Sequence, residues 1–173
     1  MTAEPIHQAT KPRGESHDAS RVEALLITDG SCICNPGPGG WACVMRSGDS
    51  TREIFGSEAR TTNNRMELRA AIEGLNALGR PGRVTVVTDS QYLKNGITQW
   101  LPRWKANGWQ RKSGGDGRRG VLNRDLWEEL DAAASRHTVR WQWVRGHADH
   151  AANNRAHDLA SAAARTAGRN GKS

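Results

Sequence analysis

Apolar positions come in short bursts separated by polar turns, and the spacing within each burst changes along the chain. Ala24-Leu25-Leu26-Ile27-Thr28 is a compact run that stops at Asp29-Gly30, the pattern of a buried strand. Gly40–Met45 and Thr51–Phe55 read as two more strands, with the Ser47-Gly48-Asp49 turn between them. Beyond them, Leu68, Ile72, Leu75 and Leu78 recur at steps of four, three and three, which places them on one face of a helix. Pro81-Gly82 breaks that helix, and the β-branched run Val84–Thr88 predicts a buried strand ending at Asp89. Gln91 to about Asn107 predicts a helix bent near Pro102, and Ser113-Gly114-Gly115-Asp116-Gly117 a loop. Leu122, Leu126 and Leu130 mark a further helix, Val139–Val144 a strand, and Asn153–Ala167 an alanine-rich closing helix.

The order β-β-β-α-β-α-α-β-α belongs to the α/β class. It predicts a mixed five-stranded sheet, three antiparallel strands then two parallel ones, with helices on both faces. Residues 1–20 are polar, carry two prolines and show no periodicity, so they are expected to be a flexible tail, as are residues 168–173. That leaves residues 21–167 as one domain. The longest uninterrupted apolar run is the five residues Trp41–Met45, too short for a membrane helix or a signal-peptide core, so no membrane partner is expected. Three cysteines cannot close a disulfide framework, which favours a reducing, cytoplasmic setting.

Charge sharpens the picture only where it clusters. The chain of 173 residues carries a formal net charge of +7. Lys94, Arg103, Lys105, Arg111, Lys112, Arg118 and Arg119 face one acid, Asp116, between Ser90 and Asn123, so this fifth of the chain holds +6 of that excess. Trp100, Trp104 and Trp109 lie in the same stretch. Cations beside flat rings suit a polyanion with bases and sugars, although a solvated loop with helix-packing tryptophans has the same composition.

Candidate chemistry sits at strand ends. Asp29 and Asp89 each directly follow an apolar strand, in Thr28-Asp29-Gly30-Ser31 and Thr88-Asp89-Ser90. If those strands are parallel neighbours, both carboxylates project from the carboxyl edge of the sheet, where open α/β folds build their sites. Two such groups repel unless protonated or bridged by a cation, and an oxygen-preferring ion such as Mg²⁺ resolves the repulsion. A strand-end Asp also makes an ordinary turn residue. Glu67, early in the first long helix, is either a helix-start charge or, facing inward, a third oxygen ligand. Asp158 reads without context as an exposed charge on the final helix.

Six segments occur in register: Thr28–Cys32, Asn35–Gly40, Thr61–Leu68, Thr88–Tyr92, Trp143–Ala148 and Asn154–Ala160. Together they resemble a bacterial type 1 ribonuclease H, over about Leu25 to Ala164. The resemblance implies a ribonuclease H-like fold. It also implies an endonuclease that hydrolyses the RNA strand of RNA–DNA hybrids with two Mg²⁺ ions, Mn²⁺ substituting, and leaves 5′-phosphate and 3′-hydroxyl ends. By position it makes Asp29, Glu67, Asp89 and Asp158 the metal-binding carboxylates, with Asp29 bridging the ions. His147 would assist proton transfer or product release, and His157 would be an incidental neighbour of Asp158.

The same resemblance assigns substrate contacts. Asn35, Asn63 and Gln91 would meet the minor groove, where amides both donate to and accept from 2′-hydroxyls and base edges. Arg60, Thr62 and Asn123 would hold a DNA phosphate. Trp100 and Trp104 would line a groove for deoxyribose in a basic handle, about residues 94–122; substrate binding is expected to rest on the catalytic domain alone, in a monomer. Competing expectations are a related resolvase- or integrase-type nuclease and an inactive hybrid-binding module. Cys32, Cys34 and Cys43 lack the spacing of a four-ligand zinc site.

Overall fold

A computed structural model describes residues 22–112, 118–145 and 151–170. In chain order its elements are β1 (Val22–Cys32), β2 (Gly37–Ser47), β3 (Ser50–Thr61), α1 (Asn63–Asn76), β4 (Gly82–Thr88) and α2 (Gln91–Asn95). There follow α3 (Leu101–Ala106), β5 (Gln110–Lys112), β6 (Arg118–Gly120), α4 (Arg124–Ser135), β7 (Thr138–Trp143) and α5 (Ala151–Asn170).

β1 lies at the middle of a five-stranded sheet of order β3-β2-β1-β4-β7. It pairs antiparallel with β2, which pairs antiparallel with β3; on its other side β4 and then β7 run parallel to it. This is the mixed sheet that the element order predicts. On one face α1 and α4 close the main core, where Leu26, Leu68, Ile72, Leu75, Val86, Leu126, Trp127 and Leu130 are almost wholly removed from water. Truncating a fully buried leucine such as Leu75 to Ala is expected to cost about 2–5 kcal/mol.

α5 covers the other face through Ala156, which packs with Ile27 and Val44. The small residues set how closely it sits. A Cβ on Gly40 of β2 would collide with the Ala160 carbonyl oxygen and lie 2.6 Å from the Ala164 nitrogen. Close approach of α5 to the sheet therefore depends on glycine at 40, and it fixes where the α5 side chains meet the end of β1.

Several boundaries differ from the sequence expectation. β1 runs from Val22 to Cys32, well past its apolar run, because Gly30, Ser31 and Cys32 pair with Trp41, Gly40 and Gly39 of β2. The break in the Gln91–Asn107 helix falls at Gly96–Trp100, which winds as a wider π turn. Pro102 instead sits in the first turn of α3, where a missing N–H costs nothing. Gln110–Lys112 and Arg118–Gly120, for which the sequence pattern predicts no strand, pair as a two-stranded ribbon. α5 continues to Asn170, so part of the segment expected to be a tail is helical. The proposed tail over residues 1–20 and the glycine-rich loop 113–117 lie outside the described residues. Among the described residues, no helix is long and apolar enough to cross a membrane.

Candidate active site

Parallel register brings the two strand-end aspartates together. Ile27 of β1 pairs with Val87 of β4, so Asp29 and Asp89, each two residues further on, leave the sheet at the same edge. The strand ends are fastened there. Thr28 Oγ1 donates to the Val87 carbonyl at 3.2 Å, and the Val144 N–H to the Thr88 carbonyl at 3.0 Å. Trp143 Nε1 donates to the Asp89 carbonyl at 3.0 Å, with Lys94 Nζ 4.6 Å from the centre of the Trp143 ring. Ser90 then caps α2 by accepting the Leu93 N–H at 3.1 Å.

Glu67 joins them from α1, whose N-cap is Thr62, accepting the Arg65 N–H at 3.4 Å. That start puts Glu67 on the inward face, and Gly30 admits it. A side chain at Gly30 would collide with the Glu67 nitrogen and the backbone carbon of Met66. One carboxylate oxygen from each of Asp29, Glu67 and Asp89 lies within 4.8 Å of the others.

Three carboxylates so close cannot all carry charge comfortably. Burial, and then repulsion from Asp89, raises the Asp29 carboxyl to about 6, although His157 and the Gly30 backbone pull the other way. Burial raises Glu67 well above the ordinary carboxylate range, and Asp29 and Asp89 add to it; Gly30 and Asn63 oppose the shift. Glu67 Oε2 is buried and has no hydrogen-bond partner among the described residues. A buried, unsatisfied carboxylate oxygen beside two others is costly on its own and suits a hard divalent ion with oxygen ligands. The residues present therefore fit a divalent metal.

Asp158, the fourth carboxylate expected from the sequence, lies outside this group. It is exposed on α5 and adds, after Glu53, to the field that keeps Arg155 charged. Its neighbour His157, taken from the sequence as incidental, instead reaches the site, with Nδ1 3.0 Å from Asp29 Oδ2. Helical phase separates the two. His157 lies four residues from Asn153 and three from Ala160, both buried, whereas Asp158 lies between exposed Asn154 and Ala162. A helical-wheel reading of Asn153–Ala164 could have found this. His147 is outside the described residues.

The residues expected to contact substrate are spread over several elements, and of them Asn63 hydrogen-bonds Glu67 directly. Asn35 Oδ1 accepts the Asn63 N–H at 3.0 Å, while Arg60 on β3 and Gln91 at the start of α2 are exposed. Asn123, with φ of 56°, caps α4, donates to Tyr92 Oη at 3.2 Å and accepts from Arg65 Nη1 at 3.4 Å. Trp100 and Trp104 are half-buried with ring centres 5.7 Å apart, and Trp104 continues to Trp127 at 5.5 Å. Both tryptophans are thus part of the packing as well as part of the surface. Arg65, paired with Asp125 at 2.7 Å, and Tyr92 were not singled out from the sequence; each joins partners roughly thirty or more residues away, beyond the reach of periodicity.

Known proteins supply an independent comparison. The family model described as RNase H matches residues 21–165. The chain is 56% identical over 140 residues to "Ribonuclease H" of Paracoccus denitrificans, covering 78% of this chain and 88% of that protein. It is also 56% identical over 136 residues to "Ribonuclease HI" of Neisseria meningitidis serogroup B, covering 79% and 91%. Among solved structures, LC9-RNase H1, described as a type 1 RNase H with the type 2 active-site motif, superposes with a TM-score of 0.76 at 38% identity, covering 86% of this chain and 75% of that one.

Proposed function

The chain belongs to the ribonuclease H family, enzymes that hydrolyse the RNA strand of RNA–DNA hybrids, and we propose that the edge formed by Asp29, Glu67 and Asp89 is where it does so. The observation that carries this reading is the convergence of three carboxylates, one oxygen from each within 4.8 Å of the others, in a cluster where Glu67 Oε2 is buried with no hydrogen-bond partner among the described residues. Asp29, Glu67 and Asp89 would hold divalent ions, Mg²⁺ with Mn²⁺ as a substitute, and these would supply the water activation and charge compensation that phosphodiester hydrolysis requires. Asp29, which faces Glu67 and Asp89 and lies 3.0 Å from His157 Nδ1, is assigned as the carboxylate that two ions would share.

The protein's own groups do the positioning. Asn35, Asn63 and Gln91 are assigned to the hybrid's minor groove, where 2′-hydroxyls on one strand and their absence on the other mark the substrate. Arg60, Thr62 and Asn123 hold a DNA phosphate beside them. Trp100 and Trp104 offer the uncleaved strand an apolar wall, with Lys94 and Arg103 exposed nearby to attract the backbone. His147 is assigned to proton transfer or product release. The protein works as a cytoplasmic monomer.

A single digestion series tests the reading. Labelled RNA–DNA hybrid, RNA duplex and DNA duplex are incubated with the protein and Mg²⁺, with and without EDTA. Cleavage of the hybrid's RNA strand alone, abolished by EDTA, is the expected result. EDTA-resistant cleavage, or equal cutting of RNA duplex, contradicts it.

A further inference from the structure

Resting on the metal-site reading above, we propose that His157, and not Asp158, is the fourth member of the metal-binding constellation, so that the site is three carboxylates and one imidazole. α5 presents two adjacent residues toward different surroundings. His157 Nδ1 is 3.0 Å from Asp29 Oδ2, and one turn further Ser161 Oγ meets Ser31 Oγ at 3.4 Å, so the 157/161 stripe faces the end of β1. Asp158, one residue on and so about 100° further round the helix, is exposed and near Arg155, which is held by Glu53 through two bonds of 2.8 Å.

Distance and chemistry both suit a shared ion. Adjacent ligand atoms on an octahedral Mg²⁺ or similar ion stand about 3 Å apart, the separation between His157 Nδ1 and Asp29 Oδ2. In the absence of metal that contact is a hydrogen bond to the carboxylate. The other imidazole tautomer leaves a lone pair on Nδ1 without moving the ring. The packing of α5 on Gly40 holds the helix close enough for an imidazole to span the gap. Replacing a carboxylate by a neutral nitrogen donor removes one negative charge from the set and favours a transition-metal ion such as Mn²⁺ over Mg²⁺.

Pulsed EPR of the full chain loaded with Mn²⁺ tests this without using turnover. The expected wild-type spectrum carries ¹⁴N modulation from a directly bound imidazole. The modulation disappears in His157→Ala and His157→Asp and persists in Asp158→Asn. Titration of the same samples is expected to show His157→Asp binding Mg²⁺ about tenfold or more tightly than the wild type. Circular dichroism confirms that each variant is folded, and half of the His157 side chain is exposed, so its replacement leaves the core intact. A wild-type spectrum without nitrogen coupling, in a protein whose Mn²⁺ binding is lost in Asp29→Asn, overturns the ligand assignment and leaves the metal site standing. Coupling that survives in His157→Ala overturns it as well, by assigning the nitrogen to another histidine. Failure of the wild type to bind Mn²⁺ at all overturns the metal-site reading and this proposal with it.

Discussion

The acidic edge of the sheet and the aromatic segment beside it are built on opposite principles. At the edge, like charges converge, Glu67 Oε2 is buried without a hydrogen-bond partner among the described residues, and two carboxyls are pushed up from their ordinary range. In the aromatic segment the polar atoms are matched. Tyr92 Oη accepts from Trp127 Nε1 at 3.1 Å and from Asn123 Nδ2 at 3.2 Å, and four rings pack with centres 5.4–5.7 Å apart. One region is strained as it stands and fits a divalent ion; the other is complete without a ligand. Unsatisfied polar groups held by a rigid frame mark where chemistry occurs, and satisfied ones mark what holds the frame.

That contrast is broken most sharply at Asp29. Asp29→Asn is expected to lower hybrid cleavage by roughly a thousandfold or more while leaving the fold intact, because the residue faces every other member of the acidic set. Initial rates on labelled hybrid, with circular dichroism as the folding control, decide it; near-normal turnover would move the catalytic centre elsewhere. The aromatic side should respond in the other currency. Trp104→Ala removes a half-buried ring that touches both Trp100 and Trp127, and is expected to cost about 3 kcal/mol of stability. Urea unfolding should show a lower midpoint at unchanged slope. A loss of only a few tenths of a kcal/mol would mean the ring cluster is surface decoration.

How much of this could be read beforehand differs between the two regions. Asp29 and Asp89 were visible because each ends an apolar run, and parallel register does the rest. Glu67 needed its inward face, which Gly30 permits and no local pattern signals. His157 reads in sequence as an incidental neighbour of Asp158, and only helical phase, with Asn153, Ala160 and Ala164 on the buried stripe, turns it toward Asp29. The Tyr92–Trp127–Asn123 network was invisible, since its members are more than thirty residues apart or paired through hydroxyl and indole groups that periodicity does not see. The π turn at Gly96 has the same kind of origin. A side chain there would collide with the Trp127 ring, a contact that only the folded chain reveals.

Acidity offers a smaller and more selective probe. The Asp29 carboxyl stands at about 6 in the folded protein, above its value near 4 in an unfolded chain. Its protonated form therefore favours folding. This contribution is complete below about pH 4 and is lost as pH rises through 6, and Glu67 shifts in the same direction. In EDTA at pH 7–8, Asp29→Asn should consequently be more stable than the wild type by about 2–3 kcal/mol, a gap that closes toward pH 4. Millimolar divalent ion should narrow it too, by stabilising the wild type selectively. Denaturation curves of both proteins across pH 4–8 measure the difference directly. A variant less stable than the wild type at neutral pH would mean that the acidic edge is not strained.

Tyr92→Phe is the mildest test, and it asks whether the aromatic segment is held by its hydroxyl or by its rings. Phenylalanine keeps the ring that packs 5.4 Å from Trp127 and 5.6 Å from Trp100, so little apolar burial changes. What goes is one oxygen serving two donors. Trp127 is fully buried, and its Nε1–H would be left facing no acceptor; Asn123 Nδ2 loses its bond but sits near solvent. A buried donor without a partner costs more than an average hydrogen bond is worth, so the expected loss is about 1–2 kcal/mol. Trp127→Phe in the Tyr92→Phe background removes the orphaned donor. The second substitution should therefore cost less there than in the wild type, by about 1 kcal/mol in a double-mutant cycle. Additive losses would show that the hydroxyl network contributes nothing of its own, and the contrast with the acidic edge would then rest on ring packing alone.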